Sequence, residues 1–401
     1  MADKFWVAGI DISADMTQAA YMCGNFGEAR MAGDGQTEED FLIPTAIERT
    51  EDGWRIGSEM SAPTEHILKM AYNREKNVVG TYDALSLVAI FAENVVRQAL
   101  KGIGSEEFSV IVFALPSADK AVIESIRKRF EECGIVSKLV FITHAESCAY
   151  YVLNQKKELR ANDVAFFDYS DEGLIYRKFH MQRADKRILV QVSETDCNSD
   201  GSKTVFSDES FKKLAETLFE RQQISTVYLL GEGFDDESWA RESLNFICSR
   251  RRTFKGRNLY ALGACYKAAE GFGNYTYSQY CILCKGRTEY EAGMEVIFKE
   301  ECNEAVLVPA GALWYETDVQ LEGILSGTER LRLFIHSAQG EIIRNEEIIL
   351  SDFPYRGDRL TRVYIEAGMS DDRTLEICVT DLGFGELAQK SGKRITKTIQ
   401  F

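Results

Sequence analysis

At 401 residues and 45% hydrophobic, the chain can bury an ample core and reads as a globular protein of two or three domains. Its 63 acids against 47 bases give a formal charge of −16, which opposes non-specific binding to nucleic acid or anionic lipid. No apolar run reaches the length of a membrane helix, and no basic region followed by an apolar stretch opens the chain, so no membrane contact and a cytoplasmic location are expected.

In chain order, Phe5 to Met22 (FWVAGIDISADMTQAAYM) is an apolar strand ending at Asp11, a tight turn and a second strand. Asp83 to Gly102 has helical apolar spacing with a terminal glycine stop. Ser109 to Leu115 reads as a buried strand. A helix from Ser117 to Cys133 follows, with Ser117 as N-cap, Asp119 in the first turn and Gly134 just past the end. A strand at Lys138 to Ile142 and a helix from Ala145 to Lys157 complete the first half. Asp163 to His180 (DVAFFDYSDEGLIYRKFH) then repeats the opening shape, with Asp168 at its strand end. The chain is therefore expected to be internally duplicated. The second half runs through three strands between Asp163 and Ser193, a helix near Glu209 to Gln222, a strand at Thr226 to Leu230, and helices after Asp235 and Asn258. Such alternation predicts parallel sheet segments covered by helices.

From about Tyr277 the pattern becomes alternating strands separated by turn residues, as in Arg330 to Leu350. A β-sandwich or barrel is expected there, with a single helical turn at most, at Glu386 to Ser391. Glu270 to Ser278 is the expected linker. The ten cysteines are scattered and read as free thiols. Cys281 and Cys284 form a CxxC, but in a strand residues three apart face opposite ways, which argues against a metal or redox pair. His144 and Cys148 lie one helical turn apart, which suits a thiolate-imidazole dyad, although no third orienting group is visible. His66, His180 and His336 have no ligand spacing, and there is no Walker loop, HExxH or nucleophile elbow.

The succession GIDISADM (Gly9 to Met16), IPTAI (Ile43 to Ile47), RIG (Arg55 to Gly57), FALPSADKAVIESIRKRFEECGI (Phe113 to Ile135), HAESCAYYVL (His144 to Leu153), DYSDEG (Asp168 to Gly173), LLGEG (Leu229 to Gly233) and LYALGACYKAA (Leu259 to Ala269) resembles the seventy-kilodalton heat-shock chaperone (DnaK-like) family. The β region follows that family's peptide-binding sandwich in order, most clearly from Arg362 to Ile399. The resemblance implies a duplicated actin-like (ribonuclease H-like) ATPase-type domain over residues 1–275, with lobes of about 1–160 and 161–275, and a substrate-binding-type β-sandwich over 279–401.

The resemblance also implies roles. Asp11 and Asp168 match the aspartates that hold the waters of a magnesium ion, and Glu146 matches the glutamate that orients the attacking water. Ser13, Ala14 and Asp15, with Ser170, Asp171 and Gly173, occupy the phosphate-cradling positions, and Gly231 and Gly233 those of the adenosine site. The cradle itself is degenerate. The family's D-L-G-T-T becomes Asp11, Ile12, Ser13, Ala14, Asp15, and its D-L-G-G-G-T becomes Asp168, Tyr169, Ser170, Asp171, Glu172, Gly173. Glu232 replaces the second glycine of the adenosine motif. The helices that close over adenine have no counterpart, and the phosphate-contacting lysine could be Lys69 or Lys76. Carboxylates now stand where triphosphate oxygens would lie, and at an effective dielectric near 20 each like-charge pair at ~4 Å costs about 4 kcal/mol.

Plainer readings exist for the same residues. A strand-end aspartate is often a turn former, and Glu146 near a helix start complements the macrodipole. No helical lid over the peptide groove is expected, and the nucleotide-coupling linker is unrecognisable in Gly273 to Cys284. The expectation is a chaperone-like, nucleotide-independent protein-binding or scaffolding protein, without a cofactor, that engages a protein or peptide through its β-sandwich. The alternatives are a weakly hydrolysing chaperone-like ATPase using ATP and magnesium, with metal at Asp11 and Asp168, and an actin-like assembly subunit.

Overall fold

The computed structural model describes residues 5–23, 28–33, 41–184, 187–198, 204–272, 275–354 and 356–401; Gly273 and Asn274 of the expected linker lie outside them. The protein is mixed α/β and divides into two compact units, Met1–Met181 with Val190–Gln279, and Gln182–Leu189 with Tyr280–Phe401.

In the first unit, β1 (Trp6–Ile12) and β2 (Met16–Cys23) form an antiparallel hairpin in which Asp11 pairs with Gln18. Four short strands follow, β3 (Arg30–Met31), β4 (Ile43–Pro44), β5 (Glu48–Thr50) and β6 (Gly53–Arg55), then helices α1 (Ile67–Tyr72) and α2 (Ala84–Ile103). Next come β7 (Val110–Leu115), α3 (Lys120–Glu132), β8 (Lys138–Thr143) and α4 (His144–Leu153). The first sheet has the order β3-β2-β1-β7-β8, with β7 parallel to both β1 and β8. The crossovers through α2 and α3 are what parallel neighbours require.

A second sheet uses β9 (Asp163–Ser170), β10 (Gly173–Ala184) and β11 (Arg187–Asp196). After α5 (Asp208–Phe219) come β12 (Ile224–Leu230), α6 (Arg241–Cys248), β13 (Arg252–Lys255) and α7 (Leu259–Ala268). Its order is β13-β12-β9-β10-β11, with β9 antiparallel to β10 and parallel to β12, and β12 parallel to β13. Helix α7 approaches closely on two sides because glycines remove the obstacle. A Cβ on Gly9 would lie 2.1 Å from the Cys265 nitrogen, and one on Gly263 would lie 2.2 Å from the Ser147 carbonyl oxygen. This seating brings Tyr260 against α4.

The second unit contains β14 (Tyr280–Cys284), whose Cys281 and Leu283 form a small core with Leu189. Two antiparallel four-stranded sheets follow. One is β15 (Tyr290–Phe298), β16 (Glu301–Val308), β18 (Arg330–Ser337) and β19 (Ile342–Ile349), ordered β16-β15-β18-β19; the other is β17 (Asp318–Ile324), β20 (Arg362–Asp371), β21 (Thr374–Gly383) and β22 (Arg394–Gln400), ordered β17-β20-β21-β22. Alternate residues from both, including Leu333, Ile335, Ile365, Leu375 and Ile377, share one apolar core, as period-two patterning dictates.

Several local expectations are corrected. The cap of α3 is Asp119, not Ser117: its carboxylate accepts the Val122 N–H at 3.0 Å and is held by both oxygens to Arg74 at 2.8 and 2.9 Å. Helix α2 runs through Gly102 and stops at Gly104, whose positive φ of 64° suits a left-handed terminus. Helix α4 ends at Leu153 rather than Lys157, where Asn154 caps it by donating to the Tyr150 carbonyl at 2.7 Å. Glu386 to Ser391 forms no helical turn, because the buried Asp381 carboxylate accepts from the Ser391 N–H and binds Arg356, pinning the segment as a loop. The short β13 and α1 escape periodicity altogether, being too brief to show it. All ten cysteines are free.

Candidate functional site

The first unit buries a chain of polar side chains that connects the ends of β1 and β9. Asp11 is buried, and its Oδ1 meets the Nε2 of His144 at 2.8 Å and accepts the Ser13 hydroxyl at 3.0 Å. His144 opens α4 immediately after the Thr143 cap. Its ring stacks on Tyr260 of α7, with centroids 4.0 Å apart and planes 6° from parallel. The Tyr260 hydroxyl donates to Asp168 Oδ2 at 2.5 Å and accepts from Arg177 Nη1 at 2.7 Å. Arg177 also donates to Asp168 Oδ2 at 3.2 Å and, through Nε, to Glu194 at 2.7 Å.

Local sequence explains part of this placement. In the β9/β10 hairpin Asp168 pairs with Ile175, so Arg177 is the diagonal neighbour on the same face. Glu194 comes from the adjacent β11. The remaining partners are distant in sequence. Burial pulls the Arg177 guanidinium down, but Tyr260, Glu194 and Asp168 more than offset it and its pKa is raised. Burial raises the Tyr260 phenol well above its usual range, and Asp168 adds to this although Arg177 opposes it. Arg177 therefore stays cationic and Tyr260 stays a donor. Cys148 is fully buried and pushed up to about 12 by that burial. His144 points to Asp11, so the His144/Cys148 dyad does not form.

Glu146 is fully buried and works as the far half of a capping box. Its carboxylate accepts the Thr143 N–H at 3.1 Å while the Thr143 hydroxyl accepts the Glu146 N–H at 3.3 Å. The turn residues lie nearer the surface. Ser13 and Ala14 are half-buried in the β1–β2 turn. Ser170 accepts the Glu172 N–H at 3.2 Å, and Gly173 opens β10 beside Asn198. Asp15, Asp171 and Glu232 converge, with one carboxylate oxygen from each lying within 4.8 Å of the others. His66 Nδ1 stands 3.2 Å from Asp15. Partial burial, then the Asp171 and Asp15 charges, raise the Glu232 carboxyl pKa, as like-charge crowding requires.

Gly231 and Gly233 have a packing role. A Cβ on Gly231 would stand 2.3 Å from the Tyr169 carbonyl oxygen, and one on Gly233 would stand 2.4 Å from the Tyr169 ring. That ring occupies the space beside both glycines and packs edge-on against Phe206, Phe234 and Trp239. Of the two lysines, Lys76 binds Asp83 at 3.0 Å and Lys69 lies exposed on α1. Neither is brought to the acidic turn by any contact among the described residues.

The strand-end aspartates were legible from sequence, but Arg177, Tyr260 and Glu194 were not singled out. An arginine inside the apolar run LIYRKFHM was the available signal, since a buried strand tolerates one only when it is paired.

The chain belongs to a family of unknown function (DUF5716): the model of that family's C-terminal part matches residues 30–285. Residues 287–401 match a domain of unknown function (DUF8552). No curated protein matches the chain.

Proposed function

For this member of a family of unknown function, we propose a chaperone-like, nucleotide-independent protein-binding or scaffolding role on a duplicated actin-like frame followed by a β-sandwich. The frame is supported by recurrence: in each sheet of the first unit an antiparallel hairpin is followed by two parallel strands, in the orders β2-β1-β7-β8 and β10-β9-β12-β13. Two four-stranded sheets around one core support the sandwich.

The loss of nucleotide chemistry rests on one observation. Both strand-end aspartates are already satisfied within the protein, Asp11 by His144 and Ser13, and Asp168 by Arg177 and Tyr260. A magnesium-triphosphate group fits this donor set poorly. The water-holding carboxylates would first have to release their partners, Glu146 is committed to its helix cap, and Asp15, Asp171 and Glu232 crowd negative charge where phosphate oxygens would lie. Two like-charge contacts at about 4 kcal/mol each would cancel about the whole binding free energy of a micromolar ligand.

With the cleft closed to nucleotide, the second unit is the expected binding element. Ile297 and Phe298 are 64% and 65% exposed at the end of the β15/β16 hairpin, and Ile343 and Ile349 stand exposed on edge strand β19. Such groups on a sheet edge suit a protein partner.

Calorimetric titration of the full chain with ATP, with and without magnesium, tests the reading. No heat is expected. Micromolar binding that requires magnesium and is lost in Asp11→Ala would overturn it in favour of an ATP-binding chaperone-like enzyme.

A further inference from the structure

Residues 250–257, Arg-Arg-Arg-Thr-Phe-Lys-Gly-Arg, carry cations at 250, 251, 252, 255 and 257 and no acid, in a chain whose formal charge is −16. Three of these cations have work inside the fold. Arg251 lies over the Phe219 and Phe246 rings at 4.5 and 5.4 Å, Lys255 pairs with Glu237 at 3.4 Å, and Arg257 pairs with Asp235. Arg250 and Arg252 have no ion-pair or hydrogen-bond partner among the described residues, and both are exposed.

These cations flank a free sheet edge. Strand β13 ends the second sheet and, among the described residues, pairs only with β12. The Gly256 N–H donates to the Leu229 carbonyl at 3.2 Å, and in a parallel ladder alternate residues point their backbone groups to the same side. Residues 252 and 254 therefore bond inward, while Thr253 and Lys255 direct N–H and C=O away from the sheet. An aromatic row arrives at the same edge. Phe166, Tyr228 and Phe254 sit side by side on β9, β12 and β13, with centroid separations of 5.4 and 5.5 Å. The row stops at Phe254, 41% exposed, and Arg252 shares its face by the two-residue period.

We infer that β13 is a docking edge for an acidic segment of another protein, bound in extended form as an added strand. The bound segment places an aromatic or large apolar side chain beside Phe254 and a carboxylate two positions away against Arg252, while its backbone meets the outward groups of Thr253 and Lys255. Charge complementarity selects an acidic partner. A nucleic-acid backbone suits the site less, because only two unpaired cations are offered and the rest of the chain repels polyanions. This edge lies in the first unit, so it is independent of the sandwich-borne binding proposed above.

The test is fluorescence anisotropy of a fluorescein-labelled heptapeptide, Thr-Glu-Thr-Phe-Thr-Glu-Thr, titrated with the full chain. Saturable binding is expected, about tenfold or more weaker for the peptide with Gln in place of Glu and for Arg252→Glu. Backbone N-methylation of the peptide should abolish it. Thr253→Pro removes one outward donor without touching charge or the β12 ladder and should weaken binding similarly, with a melting curve to establish that it folds. No saturation below about 1 mM, or equal affinity in Arg252→Glu, overturns the proposal. Binding that survives N-methylation and Thr253→Pro but is displaced by heparin also overturns it, making the edge a polyanion site.

Discussion

In the α/β unit, Asp11, His144, Tyr260, Asp168, Arg177 and Glu194 are gathered in one internal chain, and each of the six belongs to a different secondary element. In the β unit the one buried carboxylate among the described residues is Asp381, held by both oxygens to Arg356 at 2.6 Å in a loop. Its other charges lie outside the core, as in the Glu295–Arg332–Glu347–Arg330 ladder across the outer face of one sheet. The difference teaches where each unit hides its chemistry. The first ties its strand ends together with desolvated charge, while the second keeps an apolar core and fixes only a loop.

The contrast breaks most sharply at Arg177. Arg177→Met leaves the partly buried Asp168 and Glu194 facing an apolar side chain and should cost about 3 kcal/mol in urea denaturation. A loss below about 1 kcal/mol would mean that the carboxylates reach water once the arginine is gone. Next in size is Asp381→Asn, which should cost about 2–3 kcal/mol. Hydrogen bonds from Arg356 and Ser391 outweigh burial and depress the Asp381 carboxyl pKa, so its stabilisation is present above the unfolded pKa, near 4, and is lost as pH falls toward the folded value. The melting temperature of the native chain should therefore drop below about pH 4, and the variant should show a shallower acid limb.

His144→Phe sharpens the comparison within the first unit. It keeps the stack on Tyr260 but leaves Asp11 with Ser13 alone among the described residues, for an expected loss of about 1–3 kcal/mol. A loss equal to that of Arg177→Met would show that both aspartates depend on one cooperative chain. Tyr176→Phe should move the other way. The Tyr176 hydroxyl is buried with no hydrogen-bond partner among the described residues, so its removal should be neutral or stabilise by about 1 kcal/mol. The smallest effect belongs to Arg332→Ala. Arg332 is 61% exposed in its ion pairs, and calorimetry should register a change within about 0.5 kcal/mol.

Much of the architecture was legible. The strand-turn-strand shape around Asp11 and Asp168 appears as the β1/β2 and β9/β10 hairpins, because alternating apolar residues broken by small and acidic ones allow few other conformations. Helix ends were read less well. Serine, aspartate and glycine compete for capping positions only a residue or two apart, and the winner at α3 is the aspartate that also meets Arg74, a contact 45 residues distant. Strand β13 was invisible because four residues carry no periodicity, and with it went the basic edge, although the cation run itself stands plainly in the sequence.

By itself the sequence determined the order of the longer elements, the alternation that buries one face of each long strand, and the degenerate composition of the turns after Asp11 and Asp168. Those features follow from short-range sterics and from the cost of exposing apolar surface. Only the tertiary structure decided what the aspartates meet. His144 reaches Asp11 across 133 positions and Tyr260 reaches Asp168 across 92. Such pairings depend on α4 and α7 packing together through Gly263, and on a desolvated interior in which every charge must find a partner.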